Sequence, residues 1–107
     1  MGGGGNASGL WGDDWISEES LLNHYNRHGR NTNTKTKEEY LAKAKNFVKS
    51  NSYGTLTKTD SRGSTYMYNP NTNEFVIVSK GGQIVTYFNP SSGIRYWEES
   101  ILPRIEE

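Results

Sequence analysis

The chain has 107 residues, with 12 basic and 12 acidic side chains, no cysteine and a formal net charge of zero. That length admits one small domain, and the lack of cysteine excludes a disulfide framework, a thiolate metal site and cysteine nucleophilic catalysis. Hydrophobic residues make up only 32% of the chain, partly offset by aromatics at 12%, each of which buries a large area.

The neutral total hides a segregation. Residues 1–23 carry a net charge of −4, residues 24–95 carry +7 and residues 96–107 carry −3. A basic centre between acidic ends suggests a surface for a polyanion, with the alternative of chance segregation over a solvated surface. On the first reading, the central bases should surround the site and the terminal acids should lie away from it. No apolar run approaches the ~20 residues of a membrane span, and no signal segment opens the chain.

Residues 1–9 are glycine-rich and read as a flexible linker, with 10–107 as a single domain excised from a longer chain. Ser17 is an N-cap, and Glu18 and Glu19 favour the first turn of a helix that runs to about His28. Gly29 supplies the stop. Leu21, Leu22, Tyr25 and His28 fall on one side of it, and Trp11 and Trp15 should fold back onto the core. After a polar loop, Thr36 and Glu39 form a capping box. Tyr40, Leu41, Ala44, Phe47 and Val48 then follow at helical spacing, with lysines on the wet side.

Beyond Gly54 the period changes to 2. Short strands are expected at 56–59, 64–68, 74–79 and 83–88, joined by Asn/Pro turn chemistry at 69–73 and by Gly81-Gly82. On the last strand, strict alternation puts Ile84, Thr86 and Phe88 on one face. The expected fold class is α+β, with two N-terminal helices on one face of a three- to four-stranded antiparallel sheet. The tail adds a short strand or helix anchored by Trp97 and Ile101.

His24 and His28 are the two histidines and share a helix face. They fit acid–base chemistry near neutrality. A zinc pair is a weaker reading, because no third His or Cys could complete the sphere; a charge cap on the helix C-terminus is the bland one. Thr86 is either a hydroxyl for catalysis or a β-branched packing residue. Arg62, Lys80, Arg27 and Arg30 suit phosphate contacts, and Tyr66, Tyr68 and Tyr87 are sheet packing or base-stacking surfaces. No paired acids stand at catalytic spacing, which argues against a two-carboxylate glycosidase and a two-metal nuclease.

The ordered set H-x-x-x-H-G, E-Y-x-x-x-A, Y-x-P-x-T-N-E-F and G-x-I-x-T-x-F-x-P, over about 22–90, resembles C-terminal toxin domains of bacterial polymorphic and contact-dependent growth inhibition systems. More narrowly, it resembles the group sharing the barnase–EndoU–colicin–RelE fold. The resemblance implies a ribonuclease, without metal or cofactor, that cuts RNA (often tRNA) in the cytoplasm of a target cell after delivery from a larger secreted protein. It also implies a cognate immunity protein, and the isolated domain is expected to be a monomer. His24, His28 and Thr86 match the catalytic positions. Phe88 stands where some relatives carry tyrosine, and Tyr87, Arg62, Lys80 and Arg30 are the substrate-binding candidates. The competing class is a non-catalytic RNA- or protein-binding module.

Overall fold

A computed structural model describes residues 11–50 and 53–106. The glycine-rich 1–9 segment lies outside the described residues. Among them, helix α1 spans Glu18–His28 and α2 Lys37–Ser50. Strands β1 (Leu56–Thr59), β2 (Thr65–Asn69), β3 (Glu74–Val78) and β4 (Ile84–Phe88) follow. They form an antiparallel sheet in the order β1-β2-β3-β4. The tail is helical: α3 (Ile94–Tyr96) runs into a π-helical turn (Trp97–Ile101) and then α4 (Leu102–Glu106). The α+β expectation therefore holds, with one addition. α1 and α2 cover one sheet face, and the 94–106 segment covers part of the other. No helix among the described residues is long and apolar enough to cross a membrane.

Local signals account for both long helices. The Ser17 hydroxyl accepts from the Ser20 amide at 3.1 Å, capping α1. The Thr36 hydroxyl accepts from the Glu39 amide at 3.0 Å, while the Glu39 carboxylate reaches back to the Lys35 amide at 2.8 Å. That is the expected capping box, closed one residue early. α2 buries Tyr40, Ala44, Phe47 and Val48 against Met67, Val76, Val78, Ile84 and Tyr87 of the sheet and Leu21 of α1. The opposite face gathers Tyr66, Tyr68 and Phe75 with Trp97 and Ile101, the anchors foreseen for the tail.

Gly29 ends α1 differently from expectation. Its φ of −58° is right-handed, so no left-handed cap forms. The final carbonyls are satisfied instead by threonines. The Thr32 hydroxyl donates to the His28 carbonyl at 2.9 Å, and the Thr34 hydroxyl donates to the Gly29 carbonyl at 3.0 Å. Glycine is needed there for space, because a Cβ would lie 2.5 Å from the Tyr25 ring. Two apolar expectations also fail. Leu22 is exposed, and Trp11 stays exposed against the Gly82 turn, whereas Trp15 is buried.

The largest correction lies in β4. Its register against β3 shifts between Ile77 and Val78, where Ile77 faces Thr86 but Val78 faces Ile84. Val85 is the extra residue of a β-bulge, and a bulge reverses the alternation that follows it. Ile84 and Tyr87 therefore both enter the core beneath α1 and α2. Thr86 and Phe88 point to the other face, beside Ile77 and Phe75.

Candidate active site at the sheet edge

β4 is an edge strand, and the residues before α1 dock on it. The Ile84 amide donates to the Asp14 carbonyl at 2.8 Å, and the Ile16 amide donates to the Ile84 carbonyl at 2.9 Å. This bridge starts α1 beside the top of β4 and lays the helix along the strand. The Trp15 indole N–H donates to the Ser20 hydroxyl at 3.0 Å. The Trp15 ring lies 5.3 Å from His24, His24 lies 6.1 Å from His28, and His28 stacks on Phe88 at 5.0 Å with an interplanar angle of 22°.

Helix and strand geometry bring Thr86 to the same row. Four residues of helix rise about 6 Å, and two residues of strand rise about 6.7 Å. With His28 stacked on Phe88, one step back along each element pairs the level of His24 with that of Thr86. His24 and His28 thus stand at the α1–β4 edge beside Phe88, with Thr86 two residues back along the strand, and each of the four is partly exposed; this edge is the candidate groove. Ile77 is the cross-strand partner of Thr86 on β3.

The histidines are not equivalent. His24 Nδ1 stands 2.8 Å from the Ser20 carbonyl. A carbonyl can only accept, so Nδ1 carries hydrogen and Nε2 is the nitrogen that exchanges a proton. His28 is held below the usual imidazole range, first by burial and then by the positive charge of its neighbours His24 and Arg27. It is therefore neutral near pH 7, a state suited to a base. The threonine caps on the 28 and 29 carbonyls fix the end of α1 that carries it.

The other candidates are placed elsewhere. Tyr87 is fully buried, and its hydroxyl donates to Glu74. It is a core residue, not a substrate contact, because the bulge turns it inward. Arg62 and Lys80 sit at the end of the sheet where the β1–β2 and β3–β4 turns meet. Arg30 lies past the end of α1, lining an open cleft of about 300 Å³ with Tyr25, Asn26 and Thr34. The charge expectation needs revision as well. Asp13 pairs with Lys49 and with Lys45 at 3.9 Å, and Glu18 pairs with Lys37 at 3.2 Å. Asp13 and Glu18 thus neutralise three α2 lysines, and those bases do not serve the groove. Among the described residues no three His, Asp or Glu side chains gather into a metal site. Arg27, one of the cations read from sequence as suited to phosphate contacts, stands directly before His28 and its charge acts on that imidazole.

No family model matches the chain, and no curated protein matches it. Among solved structures, the chain is similar to a ribonuclease from Escherichia coli complexed with its inhibitor protein. The two are 26% identical, the match covers 73% of this chain and 95% of that one, and the TM-score is 0.48.

Proposed function

We propose that this domain is a metal-independent endoribonuclease, the toxic part of a larger delivered protein, which cuts tRNA in the cytoplasm of a target bacterium. A cognate immunity protein would cover the same groove. The observation that carries the reading is the α1 histidine pair at the edge of β4, with the His28 ring stacked on Phe88. Two of the ordered motifs, H-x-x-x-H-G and G-x-I-x-T-x-F-x-P, carry these residues.

In the reaction, neutral His28 takes the proton of a ribose 2′-hydroxyl, and the 2′-oxygen attacks the adjacent phosphorus. The bond from phosphorus to the 5′-oxygen breaks, and His24 Nε2–H gives its proton to that leaving oxygen. The products are a 2′,3′-cyclic phosphate and a 5′-hydroxyl. Thr86 donates its hydroxyl hydrogen to a non-bridging oxygen, and Arg27 stabilises the charge of the pentavalent transition state. Phe88 holds the His28 ring in orientation and keeps it partly dry. Positioned acid and base groups each contribute roughly 10²–10⁴-fold to such a step.

The test is incubation of the purified domain with tRNA in chelator. Cleavage to cyclic-phosphate ends supports the reading. Tight RNA binding without cleavage would favour the alternative of a non-catalytic RNA-binding module.

A further inference from the structure

A second cleft lies on the same sheet face, two strands from Thr86. It holds about 300 Å³ between the 60–64 turn and α4, and is lined by Asp60, Ser61, Arg62, Tyr66, Arg104 and Ile105. The strand registers place Tyr66, Ile77 and Thr86 in one row across the sheet. Strands are spaced by about 4.8 Å, so the backbones of Tyr66 and Thr86 lie about 10 Å apart.

The cleft is built around a fixed hydrogen-bond network. Asp60 accepts from the Tyr66 hydroxyl and from the Arg62 and Ser64 amides, each at 2.9 Å. Burial works against its charge, but these bonds win and hold the carboxyl below the usual range, so it stays ionised. Arg104 lines the same cleft as Tyr66, and its charge acts against the upward pKa shift of that hydroxyl. A third cation stands beside the turn. Gly63 has φ +94°, and a Cβ there would come within 3.0 Å of the Lys80 side chain. Lys80 therefore lies across the turn that carries Arg62. Among the described residues, the carboxylate ion pairs engage Lys37, Lys45, Lys49 and Arg95; Arg62, Arg104 and Lys80 are outside them. Arg62 and Arg104 thus line one cleft with a single anchored carboxylate, and Lys80 stands across the adjoining turn, which leaves excess positive charge there.

We propose that this cleft is an anion subsite, where Arg62, Arg104 and Lys80 hold a phosphodiester of the RNA strand beside the one that is cut. The proposal rests on the ribonuclease reading for its ligand, but the site itself can be tested without cleavage. Phosphates recur every ~3.4 Å of axis along one strand of a duplex and more widely in an extended strand. A strand lying across the sheet from Thr86 therefore brings a phosphate to the cleft within a few nucleotides. The arginines present fork-shaped donors suited to its oxygens.

Two measurements test it. The first titrates a labelled single-stranded 2′-O-methyl RNA, which has no free 2′-hydroxyl to react, against the whole domain by fluorescence anisotropy over about 50–200 mM salt. R62Q/R104Q should bind about tenfold more weakly, with a salt slope shallower by about 0.7 for one lost phosphate contact. Unchanged affinity and slope overturn the subsite. Both arginines are exposed, so the variant should keep its circular dichroism spectrum. The exposed single variant K80Q gives the same readout with a smaller loss.

The second measurement titrates inorganic phosphate into the domain by amide NMR. Shifts at Arg62, Gly63, Ser64 and Lys80 that vanish in R62Q/R104Q support the subsite, even if the domain cuts no RNA and the ribonuclease reading fails. Absent shifts, or shifts unchanged in the variant, overturn it even where cleavage is established.

Discussion

Two buried tyrosines lose the same atom with different consequences. The Tyr40 hydroxyl donates to the Tyr87 carbonyl in a buried setting, and the Tyr87 hydroxyl donates to partly exposed Glu74. Both rings are fully buried, so Y40F and Y87F remove one oxygen each without changing the packed ring. In Y40F the orphaned group is a backbone carbonyl with no route to water. Leaving a buried acceptor unsatisfied costs about 1–3 kcal/mol. In Y87F the orphaned group is a partly exposed carboxylate that recovers a partner from solvent, which keeps the loss below the ~1.5–3 kcal/mol usual for a hydrogen bond to a charged group. For a domain of about 100 residues, 1 kcal/mol shifts Tm by roughly 4–8 °C. Urea unfolding with matched m values, checked by calorimetry, should therefore rank Y40F as the more damaging variant. Both should cut RNA at the parent rate, since neither hydroxyl faces the groove. A Y87F loss equal to or above that of Y40F, or an activity loss in well-folded Y87F, would refute the assignment of Tyr87 to the core.

G29A should cost about 1–3 kcal/mol by overpacking, because its methyl meets the Tyr25 ring, and chemical denaturation reads that loss directly. Histidine NMR titration should place the His28 pKa below 6.5, and R27A should raise it. The folded state then binds fewer protons than the unfolded state between the folded pKa and 6.5. The His28 contribution to stability is therefore fully present above 6.5 and is lost as pH falls through the folded pKa; stability that does not change over this window in a comparison with H28Q would contradict it. Deleting Val85 should turn β4 into a regular ladder in which Ile84, Thr86 and Tyr87 keep their partners Val78, Ile77 and Val76, so Ile84 and Tyr87 stay in the core and Thr86 keeps its face; a loss as large as the ~1.5–3 kcal/mol of one buried large side chain would contradict the bulge assignment.

The helices, strands and turn positions were legible because each rests on local signals. Ser17, Thr36 and Glu39 cap helices through contacts within a few residues, and the Asn69–Asn73 turn is closed by its own side chains, with the Asn69 carboxamide oxygen accepting from the Asn71 amide at 2.8 Å. What sequence alone left hidden is long-range. The bulge at Val85 lies where β4 pairs with β3 on one side and bonds to residues 14 and 16 on the other; alternation placed Tyr87 opposite Thr86 and Phe88 as found, but wrongly grouped Ile84 with Thr86. Gly29 carried a stop signal whose physical cause is the neighbouring Tyr25 ring, and the Thr32 and Thr34 caps were concealed in what reads as a polar loop. The pairing of Asp13 with Lys45 and Lys49 joins positions over 30 residues apart, which no segment count of charge can resolve. Arg104 joins the anion cleft only because the tail crosses the sheet face, and its own sequence neighbourhood says nothing of this. The histidine spacing, by contrast, was legible in full, since helix geometry alone puts both rings on one side.

The central claim is that the α1 histidines perform the chemistry at the β4 edge. Its most direct test is cleavage of tRNA by the purified domain in excess chelator, compared among the parent, H24A and H28A, with end-group analysis of the products and circular dichroism of each protein. The parent should give 2′,3′-cyclic phosphate and 5′-hydroxyl ends, and each folded single variant should lose about 10²-fold or more in rate. Parent-like cleavage by either folded variant, or cleavage abolished by chelator and restored by a divalent metal, would contradict it.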